Sequence, residues 1–325
     1  MQERLKQKAI ELLTNGTADR VLGWKTGEFC YDLTPAVFTT GEEVEKIFVF
    51  GAFAGANLSK YLIAESRKGG KVAVFLRPCD SYSFTQLLKE HRILRENVHV
   101  VGIACDGTCD IEKVKALGCE GITAVSEAEG KLTVQTLYGT HTIPKKDVLL
   151  ERCVVCKSKK IVTFDELIGE QGEECESSRF DEVAKLETMT PEERFAFWRE
   201  ELSRCIRCNA CRNVCPACSC EKCVFDNPDS GVKNKAAADS FEENMFHIIR
   251  AFHVASRCTD CGECSRVCPQ RIPLHLLNRK FIKDINELYG AYQAGSDLQT
   301  KPALMDYTTD DCEPSVVYQR GGRGE

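Results

Sequence analysis

The chain has 325 residues, enough for two domains, and its charged fraction of 28% and hydrophobic fraction of 43% are ordinary for a soluble globular protein. Its formal net charge of −6 argues against a nucleic-acid-binding protein, because phosphate recognition needs a basic surface. No stretch approaches the roughly 18 apolar residues of a membrane-spanning helix, and the N-terminal segment lacks the apolar run of a signal peptide. We therefore expect a cytoplasmic protein without a membrane span.

The first part of the chain predicts an α/β domain with a partly parallel sheet over residues 1–185. Residues 1–15 carry apolar side chains at helical spacing, and the apolar run 47–50 predicts a strand. The segment from Gly51 to Leu62, which includes Asn57, then leads into a helix through small residues. A turn of this kind can hold a phosphate of a dinucleotide, but it lacks the G-x-G-x-x-G pattern, and a plain tight turn is the preferred interpretation.

Two buried strands follow, over 71–76 and 98–104, and one helix over 81–91 separates them. This spacing is typical of a parallel β-α-β unit, so the carboxyl ends of the two strands lie side by side. The first strand leads to Cys79 and the second to Cys105. Ligands bind at that edge of open α/β sheets.

A C-x₂-C pair, Cys153 and Cys156, follows at the end of this domain. Together with Cys79 and Cys105 it supplies the four thiolates that a 4Fe–4S cluster needs. Cys109 is the substitute if Cys105 is not a ligand. The residues alone leave a second interpretation open, in which the two strand-end cysteines are buried thiols and the pair is a redox dithiol or a zinc knuckle.

A polar, acidic stretch over 168–180 marks a boundary, and Thr190-Pro191 then begins a helix that leads into a second module, over 186–289. This module contains two runs with the spacing C-x₂-C-x₂-C-x₃-C-P. That pattern is typical of bacterial ferredoxins with two 4Fe–4S clusters, in which the fourth cysteine of each run ligates the other cluster. The runs are Cys205, Cys208, Cys211 and Cys215, and Cys258, Cys261, Cys264 and Cys268.

The crossed ligation predicts the ligands of both clusters. The first cluster is assigned to Cys205, Cys208, Cys211 and Cys268, and the second to Cys258, Cys261, Cys264 and Cys215. Structural zinc is the rival interpretation, but zinc knuckles take two ligands from each C-x₂-C unit and do not need a third and fourth cysteine in register. Twenty cysteines without an export signal also indicate a reducing compartment rather than disulfides. The lability of such clusters adds the hypothesis of an anaerobic host.

The module has three more thiols, on Cys218, Cys220 and Cys223. We expect them to bind a further metal, with a fourth ligand such as His253; the alternative is three reduced cysteines in a dense loop. The cysteines without a neighbour at ligand spacing are interpreted as structural: Cys30, Cys119, Cys175 and Cys312.

Two further helices are predicted in this module, over 241–256 and 274–288. His247 lies on the first of them and is interpreted as a core or surface residue. Residues 290–325 are predicted to form an extended tail. The predicted apolar side of the first helix consists of Phe241, Met245, Ile248, Ile249 and Phe252.

These elements resemble a known family. The family is that of the coenzyme F420 hydrogenase/dehydrogenase beta subunits, which occur in deazaflavin-reducing hydrogenases and formate dehydrogenases. The resemblance lies in the strand ends Arg77-Pro-Cys79-Asp80 and Ile103-Ala-Cys-Asp-Gly-Thr108 and in the later Cys153-x-x-Cys156. The resemblance covers about residues 20–175. The ferredoxin-type module behind it is similar to relatives that accompany heterodisulfide-reductase-type complexes.

The resemblance implies a subunit that carries FAD and a third 4Fe–4S cluster, ligated by Cys79, Cys105, Cys153 and Cys156. Its candidate flavin-binding residues are Lys25, Asn57, Arg77 and Lys157, whose cations suit a flavin N1 or cofactor phosphates. The residues leave open whether these cations are instead solvated or structural.

The function expected from the sequence is that of an iron–sulfur electron-transfer subunit in a cytoplasmic oxidoreductase of the formate dehydrogenase, hydrogenase or heterodisulfide reductase type. Its partners would be the other subunits of that complex, with ferredoxin or a soluble two-electron carrier as a further one. Any catalysis of its own would be flavin-dependent oxidation or reduction of that carrier. The alternatives are a passive, flavin-free relay and docking subunit, and a zinc-binding regulatory protein.

Overall fold

The structure is a computed structural model that describes residues 1–226, 240–302 and 304. It shows an N-terminal α/β domain followed by a mainly helical region, as predicted. The strands are β1 (Arg20–Thr26), β2 (Leu33–Phe38), β3 (Val72–Leu76), β4 (Val98–Ile103), β5 (Ile122–Ala128), β6 (Lys131–Thr136), β7 (Gly139–Pro144) and β8 (Glu166–Ile168). The helices are α1 (Gln2–Thr14), α2 (Gly41–Ile47), α3 (Ser59–Glu65), α4 (Pro78–Lys89), α5 (Ile111–Ala116), α6 (Glu151–Val154), α7 (Asp181–Thr188), α8 (Pro191–Ser203), α9 (Ala210–Asn213), α10 (Ser240–His253), α11 (Glu263–Arg266) and α12 (Leu274–Leu288).

The main sheet has five strands in the order β2-β1-β3-β4-β8. Only β1 and β2 pair in the antiparallel direction; β1–β3, β3–β4 and β4–β8 are parallel. The predicted β-α-β unit is confirmed, with Val74 of β3 opposite Val100 of β4. Every residue of β3 is buried. A central parallel strand is covered on both faces, which explains its continuous apolar sequence Val-Ala-Val-Phe-Leu.

The strand predicted over 47–50 is wrong. Helix α2 ends at Ile47, and Phe48 forms only an isolated bridge with Lys25. Within this run Phe48 is buried, because its ring packs against Phe38 and Phe75, whereas Ile47 is exposed. Strand β1 was not recognised in the sequence because its first five residues are all buried, which removes the alternation that marks a half-exposed strand. Strand β2 was not recognised because it contains Pro35, a residue that argues against a strand.

A separate antiparallel sheet follows, in the order β5-β6-β7, with a small core of its own. Val114 and Cys119 pack there on Leu132 and Val134. Cys109 belongs to this core too, so its thiol is part of an apolar cluster beneath the small sheet.

The edge formed by the carboxyl ends of β3 and β4 positions the first two cysteines. Helix α4 begins at Pro78, earlier than the predicted residue 81, because proline is well suited to the first position of a helix. Cys79 therefore lies in the first turn of α4, and Cys105 follows the end of β4.

The two ferredoxin-type runs adopt the same local geometry. In each, the residue after the second cysteine has a left-handed backbone, Asn209 with φ 62° and Gly262 with φ 64°, and a one-turn helix follows, α9 or α11. The residue before the second cysteine, Arg207 or Asp260, is left-handed as well, and the N–H of Arg207 donates to Cys205 Sγ at 3.3 Å. The repeat shows that both runs form the same kind of thiol-lined loop.

Helices α7, α8 and α12 belong to the helical part of the protein. Helix α8 begins at Thr190, whose side chain accepts a hydrogen bond from the N–H of Glu193, as the predicted cap requires. Val183 and Leu186 of α7 pack against Leu276 of α12. Residues 290–302 contain no helix or strand, and most of the predicted tail lies outside the described residues.

Candidate metal centres

The first predicted ligand set, Cys205, Cys208, Cys211 and Cys268, lines a single cavity, called site 1 here. Three of these cysteines come from the first run and one from the second, so the fold brings together the crossed set. Cys208 is exposed, which leaves one edge of site 1 at the protein surface. The ligand assignment itself stays a prediction.

The second predicted set, Cys215, Cys258, Cys261 and Cys264, is called site 2. Burial raises the pKa of the Cys264 thiol to about 11 and those of the Cys258 and Cys261 thiols as well, and the neighbouring Cys215 sulfur raises all three further. Thiols in such surroundings stay protonated unless a metal replaces the proton. The donor set therefore fits a metal cofactor bound through thiolates.

The third predicted set, Cys79, Cys105, Cys153 and Cys156, also lines one cavity, called site 3. The backbone N–H of Gly107 donates to Cys105 Sγ at 3.4 Å, and that of Thr108 donates to Cys153 Sγ at 3.3 Å. Such N–H···S bonds stabilise thiolate ligands. Cys109, the predicted substitute for Cys105, does not line this cavity.

Site 3 is surrounded by buried cations. Arg77, Arg152 and Lys157 all line its cavity. Burial, with some help from Arg179, lowers the pKa of Lys157 to about 7, and its Nζ lies 4.2 Å from the centre of the Tyr82 ring. Arg77 and Arg152 each pair with a carboxylate, Asp80 and Glu263, so their positive charge at the site is partly offset.

Sites 2 and 3 are adjacent. The loop that joins Cys258 to Cys261 contributes Thr259, Asp260 and Cys261 to the lining of the site 3 cavity. Sites 1 and 2 are adjacent as well, because Cys211 and Cys264 belong to one buried cluster. The three thiol-lined sites therefore lie in the order 3, 2, 1, and the exposed Cys208 lies at the end of the series.

The predicted flavin-binding residues are not brought together at a site of their own. Arg77 and Lys157 lie at site 3, and Lys25 is exposed on β1. The Arg77 guanidinium donates to Asp80 Oδ2 at 2.8 Å and to the Ala56 carbonyl at 2.7 Å.

Asn57 and Lys157, two of the predicted flavin-binding residues, also form hydrogen bonds with other groups of the protein. The Asn57 amide donates to Ser83 Oγ at 2.8 Å. Lys157 Nζ donates to the Thr259 carbonyl at 3.2 Å. Their contacts therefore give each of these polar side chains a structural role.

Cys218, Cys220 and Cys223 do not form a compact single-ion site. In the described part of the chain, only Cys205, Glu243 and His247 place ligand atoms of three such side chains within 4.8 Å of one another. Cys218 instead donates a hydrogen bond to Cys215, which lowers the pKa of Cys215 to about 6. His253, the suggested fourth ligand, is exposed, and the further metal stays a prediction.

The described cysteines interpreted as structural do not line the cavities of sites 1 and 3. Cys119 is buried in the core of the small sheet, and Cys30 is half-buried. Cys175 is half-buried too, and its N–H donates to the Lys157 carbonyl at 2.9 Å. Cys312 lies outside the described residues.

Sequence reasoning missed the buried side of α10. The expected apolar face is turned outward, with Phe241 69% and Phe252 61% exposed, whereas His247 and Arg250 are buried. His247 lines site 1, and burial, followed by the charges of Arg250 and Arg207, lowers its pKa to about 3. Polar residues at helical spacing opposite an apolar stripe were the available signal.

Comparisons with known proteins found a matching domain and similar chains. Residues 201–272 match the model of a 4Fe-4S dicluster domain. The chain is 26% identical to the F420-dependent formate dehydrogenase subunit beta of Methanocaldococcus jannaschii, over 90% of this chain and 91% of that protein. It is 25% identical to the F420-dependent formate dehydrogenase 1 subunit beta of Methanococcus maripaludis, over 90% of each chain.

A solved structure, of the F420-reducing NiFe hydrogenase complex of Methanosarcina barkeri, matches with a TM-score of 0.39 and 16% identity. That match covers 62% of this chain and 86% of the other.

The resemblance stated from the sequence is confirmed by the curated relatives and the domain match. Among the described residues, no helix combines the length and apolar character needed to cross a membrane.

Proposed function

We propose that this chain is an iron–sulfur electron-transfer subunit of a multisubunit oxidoreductase of the formate dehydrogenase type. The observation that carries the proposal is the series of three adjacent groups of four cysteines, two of which line a cavity. The dicluster-domain match over 201–272 supports iron–sulfur clusters at sites 1 and 2. The two curated relatives, named as beta subunits of formate dehydrogenases, support the class of complex and partner subunits.

The proposed ligands of a third cluster are the four cysteines of site 3. A 4Fe–4S cluster accepts and releases one electron at a time, at a potential set by hydrogen bonds, burial and nearby charge. The protein supplies these influences through the N–H groups of Gly107 and Thr108 and through the buried cations Arg77 and Arg152. Electrons would cross the chain along the series of sites 3, 2 and 1.

Site 1 is the proposed point of exchange with a partner at one end of the series. Cys208 is exposed there, and the neighbouring Ile206 side chain is 55% exposed. At site 2, Cys215, Cys261 and Cys264 are buried and Cys258 is half-buried, so none of its sulfur ligands is as exposed as Cys208. A partner would therefore reach the series at site 1 rather than at site 2.

A second candidate function is flavin-dependent exchange of electrons with a soluble two-electron carrier. A cleft of about 450 Å³ lies between the two parts of the protein, within the usual size range of small-molecule pockets. Tyr31 and Phe53 line it on one side, and Arg266 lines it as well. Because Arg152 and Cys268 also border the cleft, a flavin bound there would lie beside sites 3 and 1.

Iron, acid-labile sulfide, zinc and flavin are to be measured on one anaerobically purified sample. Three 4Fe–4S clusters give about twelve irons per chain with equal sulfide. One FAD per chain supports the second candidate function, and its absence supports a flavin-free relay. About eight irons overturn the third cluster alone. Zinc in place of iron and sulfide overturns the whole proposal in favour of a regulatory zinc protein.

A further inference from the structure

Helix α10 buries charge and exposes apolar side chains. His247 and Arg250 are each 1% exposed, whereas Phe252 is 61% exposed. The helix packs between α8 and α12, beside the cysteine loops. Phe246 and Ala251 are buried on the same side, so His247 and Arg250 lie among apolar groups, and such buried polar groups need compensating partners.

Arg250 has no such compensation among the protein groups described. None of its three guanidinium nitrogens has a hydrogen-bond partner within residues 1–226, 240–302 and 304. Each of the other buried arginines in this part of the chain faces a carboxylate. Those pairs are Arg20 with Glu65, Arg77 with Asp80, Arg207 with Glu243, and Arg279 with Asp260.

The charges that favour a cationic Arg250 come from sulfur. Burial opposes its charge, yet the pKa of Arg250 is raised overall, because the Cys264, Cys211, Cys215 and Cys218 sulfurs stabilise the cation. In the proposed assignment Cys211 belongs to site 1, and Cys215 and Cys264 belong to site 2. The geometry of the same helix face agrees, because His247 lines site 1 and Val254 packs with Cys215 and Cys258 of site 2. Arg250, which lies between these two residues in the helix, is therefore close to both sites.

We propose that Arg250 is a positioning residue shared by the clusters of sites 1 and 2, to whose sulfur atoms its guanidinium donates hydrogen bonds. This inference rests on the proposed function, because it requires clusters at both sites. The planar guanidinium carries five N–H donors in a fixed fork, so one side chain can serve acceptors on two sides. The N–H groups of Arg250 then donate to cluster sulfur, and the negative charge of the clusters compensates the buried positive charge.

The consequence is a common electrostatic influence on two redox sites. Each electron that enters the module from a low-potential one-electron donor such as dithionite makes it one unit more negative, with no proton taken up. A buried cation stabilises that added charge, since its interactions are little screened by water. Arg250 therefore makes reduction at both sites more favourable. His247, which is neutral, lines site 1 alone.

The test uses the full chain, purified anaerobically, in redox titrations followed by electron paramagnetic resonance. Arg250→Gln removes the charge, Arg250→Lys retains it, and Lys280→Gln is the control for loss of a cation on an exposed part of α12. In Arg250→Gln we expect the reduction equilibrium at both sites to fall at least tenfold, which corresponds to 59 mV for one electron. In Arg250→Lys and Lys280→Gln we expect less than a threefold change.

Iron content separates this inference from the proposed function. Full iron in Arg250→Gln with unchanged potentials, or with a shift at one site only, overturns the shared role. If Arg250→Gln loses iron, Arg250→Lys decides: full iron with near-normal potentials supports the inference, and equal iron loss shows a packing role and overturns it. Absence of iron from the unsubstituted chain overturns the proposed function instead.

Discussion

Arg152, beside Cys153 of site 3, pairs with Glu263, beside Cys264 of site 2, at 2.5 Å between Nη1 and Oε1. Both side chains are buried, and Arg266 also pairs with the Glu263 carboxylate at 2.8 Å. The opposite charges hold the pKa of Glu263 well below its usual range despite burial. This ion pair joins the N-terminal domain to the ferredoxin-type module at the point where two of the proposed clusters adjoin.

Arg152→Met is expected to destabilise the protein strongly. Removal of one partner of a buried ion pair costs about 3–5 kcal/mol, because the other charge stays buried without full compensation. The measurement is the midpoint of thermal unfolding, followed by circular dichroism under argon. Lys185→Met, which removes an exposed cation paired with Glu182, is the control and should leave the midpoint unchanged. An equal midpoint in the two variants would show that the buried pair does not hold the two parts together.

Cys105→Ala and Cys109→Ala distinguish the two cysteines considered for site 3. Cys105 lines the cavity, whereas Cys109 belongs to the core of the small sheet. We expect Cys105→Ala to reduce the iron content from about twelve to about eight per chain, the loss of one 4Fe–4S cluster. Cys109→Ala should retain all the iron, with some loss of thermal stability from the small cavity it creates. The reverse pattern would transfer the ligand role to Cys109.

Ligation of each cluster by cysteines from both runs is tested in a variant that lacks two ligands of site 2. In a background with Cys258→Ala and Cys261→Ala, only the clusters of sites 1 and 3 are expected to remain. Cys268→Ser should then change the resonance signal and potential of site 1, because serine oxygen replaces a sulfur ligand there. Cys215→Ser should have no effect in the same background. A change caused by Cys215→Ser rather than Cys268→Ser would show that each run holds its own cluster.

Substitutions of Ile206 test whether site 1 exchanges electrons with external partners. Stopped-flow reduction by cationic methyl viologen radical should become severalfold faster in Ile206→Glu and slower in Ile206→Lys at low salt. The difference should shrink above 0.1 M salt, where the screening length is about 10 Å. The same changes at Leu137, which is 72% exposed on the small-sheet hairpin, are the control. Equal rates in all variants would exclude site 1 as the point of entry.

Several features could be predicted from the sequence because they depend on local spacing. The cysteine runs identify ferredoxin-type loops, since the two-residue gaps determine how one short loop directs its thiols. The buried runs of β3 and β4 predict parallel strands, and Thr190 with Pro191 marks the start of α8. Each of these signals is contained within a few turns or one strand of chain.

Other features were decided by tertiary structure, because they depend on contacts between distant segments. The adjacency of sites 2 and 3 arises from the packing of the 258–261 loop against the sheet edge, which no cysteine spacing encodes. The inward orientation of Arg250 likewise departs from the local preference of an amphipathic helix. The sequence by itself determined which cysteines form repeated loops. Only the tertiary structure determined which thiols meet and which cation lies between them, since burial and proximity are properties of the folded whole.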